Sequence, residues 1–159
     1  MEFVSYGAAR FVTGSCHHIK LDSGFTFLLD CGLFQGKGKD IWKWNNEWGF
    51  NPQDVDAVIL SHAHIDHSGR LPKLVKDGFD GVIYSTHATR SLCNIMLLDS
   101  AFIQERDVEY FNKKLRNKKE DRKRAVREAL YTSGDVPKTM ERFVCYPYNH
   151  WIKINEEID

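Results

Sequence analysis

"LSHAHIDHSGRLP", residues 60–72, puts three histidines and an aspartate into six positions: His62, His64, Asp66 and His67. It runs on from "DAVILS" (56–61), an apolar stretch of the kind carried by a strand buried on both faces. The C-terminal end of such a strand is where α/β folds place their chemistry. His62 and His64 are two residues apart, so an extended backbone points them the same way. Asp66 and His67 follow after a turn that Ser68-Gly69 helps to form. One short segment thus offers two imidazoles to one metal ion, and a carboxylate plus an imidazole to a second. Nitrogen with some oxygen suits Zn²⁺, and less strongly Mn²⁺ or Fe. Two ions about 3.5–4 Å apart can share a hydroxide and clamp an oxyanion, which serves hydrolysis of phosphodiesters, esters or amides. A polar loop needs no such cluster directly after a buried strand, so packing gives no reason for it.

Outward from the cluster, short elements alternate. Residues 2–6, 16–21 and 25–30 read as strands, with Ser23-Gly24 turning the second into the third as a hairpin. Residues 31–54 read as a long irregular loop holding Gly32, Gly36, Gly38 and the cluster Trp42, Trp44 and Trp48. After the histidines, "GRLPKLVKDG" predicts a short helix ending near Gly78. "GVIYST" (81–86) predicts a strand, and Thr86 a cap for a long helix with Leu92, Ile95, Met96, Phe102 and Ile103 on one face. "SGDVPKTMERF" predicts a further helix capped by Ser133 or Asp135, and "FVCYP" and "HWIKI" two closing strands. There is no internal repeat and no low-complexity linker. The class is α/β or α+β.

At 159 residues and 42% hydrophobic content, the chain has the size of one domain with its own core. Its 22 basic and 22 acidic residues cancel, so net charge neither suggests nor excludes a nucleic-acid partner. The distribution is uneven: Lys113–Arg127 holds nine basic residues against two acidic ones, +7 for the window and −7 for the rest. Such a run can contact an RNA backbone, or form a solvated helix face. Cys16, Cys31, Cys93 and Cys145 form no CxxC pair and match no disulfide framework. Neither a signal peptide nor an apolar run near the roughly 18 residues of a membrane span is visible. A reduced, cytoplasmic protein without membrane attachment is expected.

Three segments in order, "YGAARFVTGSCHHI" (6–19), "FLLDCGLFQGKGKD" (27–40) and "SHAHIDHSGRLPKL" (61–74), resemble the first part of the metallo-β-lactamase fold hydrolases, specifically their β-CASP branch of RNA-processing nucleases. The resemblance runs from about Phe3 to the end of the chain and is strongest up to Ile103. It implies the N-terminal half of an αββα sandwich, with a mixed β-sheet and flanking helices. By the same resemblance His62 and His64 would bind a first zinc, and Asp66 and His67 a second. Asp66 and Asp30 are then the carboxylates expected to carry the chemistry: Asp66 by binding metal and orienting a hydroxide, Asp30 by supporting the metal loop, as ligand-orienting groups do. Read without the resemblance, Asp30 is equally a strand-end cap.

Family members add a Gly-His segment, a metal-bridging aspartate, a late histidine and an inserted β-CASP domain. Residues 1–159 are therefore expected to be an N-terminal portion, lacking that insert and the C-terminal half and needing the missing ligands for activity. A second polypeptide or a homodimer would be the way to supply them. His150, His87 and the pair His17-His18 are expected to be capping or packing residues rather than ligands. Arg70, beside the cluster, can hold a substrate phosphate or pair with a carboxylate. The three tryptophans can stack bases or pack the loop onto the body. The function implied is zinc-dependent phosphodiester cleavage in RNA by a metal-activated hydroxide. Its rivals are a thioester, lactone or small-phosphodiester hydrolase on the same fold, and a non-catalytic RNA- or protein-binding module.

Overall fold

The computed structural model describes residues 1–36, 40–117 and 127–158. Most of the basic window, residues 118–126, lies outside them, as does Gly38. Six strands form one sheet in chain order: β1 (Glu2–Gly7), β2 (Cys16–Lys20), β3 (Thr26–Leu29), β4 (Ala57–Ile59), β5 (Val82–Thr86) and β6 (Phe143–Tyr146). β1, β2 and β3 pair antiparallel, with His18 opposite Leu28 in the expected hairpin. From β3 to β6 the strands run parallel, so each connection must cross over and carry helix. This is a mixed sheet with flanking helices, as the sequence reading expected.

The crossovers hold α1 (Ile41–Asn46) and a 3-10 turn (Pro52–Asp54), then α2 (Ile65–Ser68) and α3 (Leu71–Lys76), then α4 (His87–Asn117) and α5 (Asp135–Met140). Residues 31–54 are thus less irregular than expected. Asn45, buried within α1, donates to Phe34 O at 2.9 Å and accepts from Phe34 N at 2.8 Å, which pins the helix to the loop. Thr86 caps α4 as predicted, accepting from Thr89 N at 3.2 Å. α5 has Gly134 at its N-cap, while the Asp135 carboxylate reaches back to Thr132 N at 2.8 Å. Residues 150–154, predicted as a strand, form none; Ile154 N turns to Ile158 O instead.

One face of the sheet carries the main core. Leu28, Val58, Leu60 and Ile83 meet Leu71, Leu74, Cys93, Leu97, Ala101 and Val136 from the helices. The buried stripe of α4 is Cys93, Leu97 and Ala101, four residues apart, each 0% exposed. The expected stripe lies elsewhere: Leu92, Ile95, Phe102 and Ile103 are exposed. α4 is apolar around much of its circumference, so periodicity alone does not select its buried face. The opposite sheet face holds Ile19, Phe27 and Ala57 with Ile59 and Tyr84, and no helix residue joins them among the described residues. Leu29 and Val144 there stay 37% and 39% exposed. Among the described residues no helix is long and apolar enough to cross a membrane.

Candidate metal centre

The histidine segment leaves the sheet from β4, between the ends of β3 and β5. Asp30 N donates to Ile59 O at 3.0 Å and Leu60 N to Tyr84 O at 2.9 Å. His67 N and Ser68 N both donate to His64 O at 2.9 Å, so the chain reverses immediately after His64. That reversal carries His67 back toward His62. The turn is then clamped from two sides: Ser15 N donates to Asp66 O at 2.8 Å, Cys31 N to His67 O at 2.8 Å, and Leu33 N to Ile65 O at 3.0 Å. Gly32 permits this approach, since a Cβ there would sit 1.6 Å from Asp66 O.

Three imidazoles gather at the result. The His62 ring centroid lies 4.1 Å from that of His67 and 4.7 Å from that of His64. Asp66 Oδ2 lies 3.6 Å from His67 Nε2. Beneath them Asp30 is 6% exposed and holds φ +61°, a left-handed conformation that Asp tolerates better than most residues. Its carboxylate accepts from Ser61 N at 2.9 Å, Ser61 Oγ at 2.7 Å, Ser15 Oγ at 3.1 Å and His67 Nδ1 at 2.7 Å. A proton on Nδ1 leaves the Nε2 lone pair of His67 free to bind a metal. Ser61 Oγ occupies Nδ1 of His62 at 2.9 Å, which leaves Nε2 of that ring as well. Burial, then the neighbouring His67 and His64, hold the His62 pKa below the ordinary imidazole value.

The donor chemistry fits zinc, but only as part of a coordination shell. Among the described residues, no three His, Cys, Asp or Glu side chains are set to hold one ion by themselves. Structural and catalytic zinc sites use three or four protein ligands, so two donors per ion call for more.

Arg70 stands apart from both roles expected of it. It is 2% exposed, and donates from Nε to Gly32 O at 2.7 Å and from Nη1 to Trp44 O at 3.0 Å. It therefore pairs with carbonyls rather than a carboxylate, and its guanidinium lies 4.7 Å from the Trp48 ring centroid and 5.2 Å from that of Phe34. Trp44 also packs, at 5.5 Å from Phe34, while Trp42 stays 50% exposed. His18 packs edge-on to Tyr6, His87 is exposed, and His150 is exposed and bonds its own loop at Tyr148 O.

Sequence reasoning missed Ser15, Ser61 and the part of His17. His17 Nδ1 lies 2.9 Å from Ser5 Oγ, and its Nε2 3.5 Å from Ser15 Oγ, which in turn holds Asp30. Ser61 was legible as the residue preceding His62; Ser15 was not, because its partner lies 15 positions away.

Residues 9–142 match the profile of the "Metallo-beta-lactamase superfamily". Among curated proteins, the chain is 48% identical over 115 residues to Ribonuclease TTHA0252 of Thermus thermophilus, covering 69% of this chain and 26% of that protein. It is 37% identical over 130 residues to Probable RNase MJ4 of Methanocaldococcus jannaschii, covering 82% and 28%. To Transcription termination factor FttA of Methanothermobacter thermautotrophicus it is 39% identical over 105 residues, covering 65% and 16%. The chain thus spans between about a sixth and somewhat over a quarter of these relatives' length. Among solved structures, a dizinc quorum-quenching lactonase, AidC, aligns over 86% of this chain and 44% of its own, at 18% identity and a TM-score of 0.44.

Proposed function

The chain belongs to the metallo-beta-lactamase superfamily, and from that premise we propose that it is the N-terminal portion, residues 1–159, of a β-CASP-type ribonuclease. The observation that carries this reading is the convergence of His62, His64 and His67 beside Asp66, over a carboxylate that fixes one ring, in a chain 48% identical to a ribonuclease over 115 residues. His62 and His64 would hold a first zinc, Asp66 and His67 a second. Bound zinc supplies charge neutralisation for a phosphodiester and lowers the pKa of water toward neutrality. The chain's own residues do the rest. Asp30 orders the His67 tautomer and ties it to Ser61 and Ser15. Asp66 is placed to orient the attacking oxygen. The remaining donors come from chain beyond these residues, from a separate polypeptide or from a second copy. RNA is the substrate and the cytoplasm the compartment.

The test is single-turnover cleavage of a labelled RNA by the zinc-loaded chain, beside a lactone, a thioester and a small phosphodiester. Slow, chelator-sensitive RNA cleavage that disappears in His62→Ala and Asp66→Ala is expected. Faster turnover of lactone or thioester overturns the substrate. RNA binding unchanged by either substitution, with no hydrolysis at all, leaves a binding module instead.

A further inference from the structure

A second site lies outside the histidine cluster. A cavity of about 450 Å³ opens between the end of β1 and α1, within the range of about 300–1,000 Å³ typical of ligand pockets. Its walls are mostly aromatic: Tyr6, Phe11, Trp44, Trp48 and Phe50. Arg70 forms part of the lining. Two of its nitrogens are taken by the Gly32 and Trp44 carbonyls, but Nη2 is buried and has no hydrogen-bond partner among the described residues. No carboxylate there forms an ion pair with it either, among the described residues. A buried guanidinium with a free donor is costly unless something accepts from it. Glu47, on the same wall, is exposed and supplies an acceptor.

The walls are held in place. Asn45 fixes α1, and with it Trp44 and Trp48, through its paired bonds to Phe34. Trp48 is tethered again from Nε1 to Asp77 Oδ2 at 2.6 Å. The rim between β1 and β2 keeps two non-glycine residues left-handed, Ala8 at φ +55° and Arg10 at φ +63°. Such conformations persist where surrounding structure enforces them, and they gather at ligand clamps.

We infer that this cavity is a nucleobase subsite: one unpaired RNA base stacks on the aromatic wall, with its keto oxygen accepting from Arg70 Nη2 and its adjacent ring N–H donating to Glu47. Aromatic walls with a cation disfavour a bare phosphate, which needs several donors and water, and suit a flat ring with a polar edge. Guanine and uracil present a keto oxygen beside a ring N–H; adenine and cytosine do not present that edge. The inference deepens the ribonuclease reading, on which it rests for RNA as the ligand. The base site needs no metal, however, so the two fail separately.

The test uses the whole 159-residue chain, metal-free, titrated with GMP, UMP, AMP and CMP, and with ribose 5-phosphate and inorganic phosphate as controls. The readout is the NMR signals of the tryptophan indole N–H groups. Saturable shifts at Trp44 and Trp48 with GMP and UMP are expected, while Trp151, 91% exposed, stays still. Phe11→Ala should weaken binding about tenfold, the scale of one lost stacking contact. Phe11 is 51% exposed, so that variant leaves the core intact. Glu47→Gln should narrow the gap between GMP and AMP. Equal shifts from ribose 5-phosphate, no shift with any nucleotide, or no effect of Phe11→Ala overturns the subsite. AMP and CMP binding as tightly as GMP overturns the part given to Arg70 and Glu47. If no nucleotide binds while the chain still cleaves RNA with zinc, the subsite is wrong and the nuclease reading stands. Base binding without any metal-dependent cleavage gives the converse.

Discussion

Substituting Asp30 separates what holds the fold from what prepares a metal ligand. Its carboxylate accepts four hydrogen bonds, at 2.9, 2.7, 3.1 and 2.7 Å, from Ser61 N, Ser61 Oγ, Ser15 Oγ and His67 Nδ1. Asp30→Asn is nearly isosteric and keeps one oxygen for Ser61. Its amide nitrogen, however, becomes a donor facing His67. The ring then accepts at Nδ1 and carries its proton on Nε2, the nitrogen a metal would need. Losing one charge-assisted bond costs about 1.5–3 kcal/mol, and losing the orienting partner of a metal ligand costs about 10–100-fold in affinity. Asp30→Ala removes all four bonds. It also places alanine at φ +61°, a conformation that adds about 1–2 kcal/mol for residues other than Gly, Asn and Asp. Its expected loss, about 4–6 kcal/mol, is a large share of the stability of an ordinary domain. Urea unfolding in the presence of chelator measures the fold, and competition with a chromophoric chelator measures zinc affinity. The reasoning is refuted if Asp30→Asn binds zinc within about twofold of the native chain, or if Asp30→Ala is no less stable than Asp30→Asn.

Gly32→Ala puts a methyl 1.6 Å from Asp66 O, backbone that cannot swing aside. A loss of about 1–3 kcal/mol or more is expected in chemical denaturation; an unchanged midpoint would show that the loop is not clamped there. Arg70→Met keeps most of the packing against Trp48 and Phe34 but strips the Gly32 and Trp44 carbonyls of their donors. It should cost about 2–4 kcal/mol in the same assay, and a neutral result would mean that water replaces the guanidinium. Burial holds the His18 pKa below the ordinary 6.5, with Nδ1 unpaired among the described residues. The unfolded chain therefore binds the proton more readily, so this contribution is complete above 6.5 and is lost as pH falls through the folded value. Thermal melts between about pH 7 and about pH 5 should fall less steeply for His18→Phe than for the native chain; parallel slopes would remove His18 from the account.

Much of this was legible because the signals were local. The strand before the cluster, the turn after it and the cap at Thr86 each depend on neighbours a few residues away, and each formed where the residues indicated. The buried face of α4 was not legible. Leu92 and Ile95 are as apolar as Leu97, and only the sheet decides that Cys93, Leu97 and Ala101 turn inward. The end of the chain misled for a similar reason. The alternation in "HWIKI" describes a strand only if a partner edge receives it, and here the backbone closes on Ile158. In the site, the histidines announced themselves by spacing, whereas the bonds that orient them reach from Ser15 and Asp30, far off in sequence. Arg70 was misjudged because adjacency to His67 in sequence says nothing about direction. Its side chain runs under Trp48 and into the core, where the aromatic segment around residue 44 meets it.

The most direct test of the central claim is a zinc titration of the metal-free chain by calorimetry, beside His62→Ala and His67→Ala, with circular dichroism to confirm that both variants stay folded. Saturable zinc binding in the native chain, lost in each variant while the spectrum is unchanged, is the result this account requires. Equal zinc binding by the native chain and both folded variants would place the metal elsewhere and contradict it.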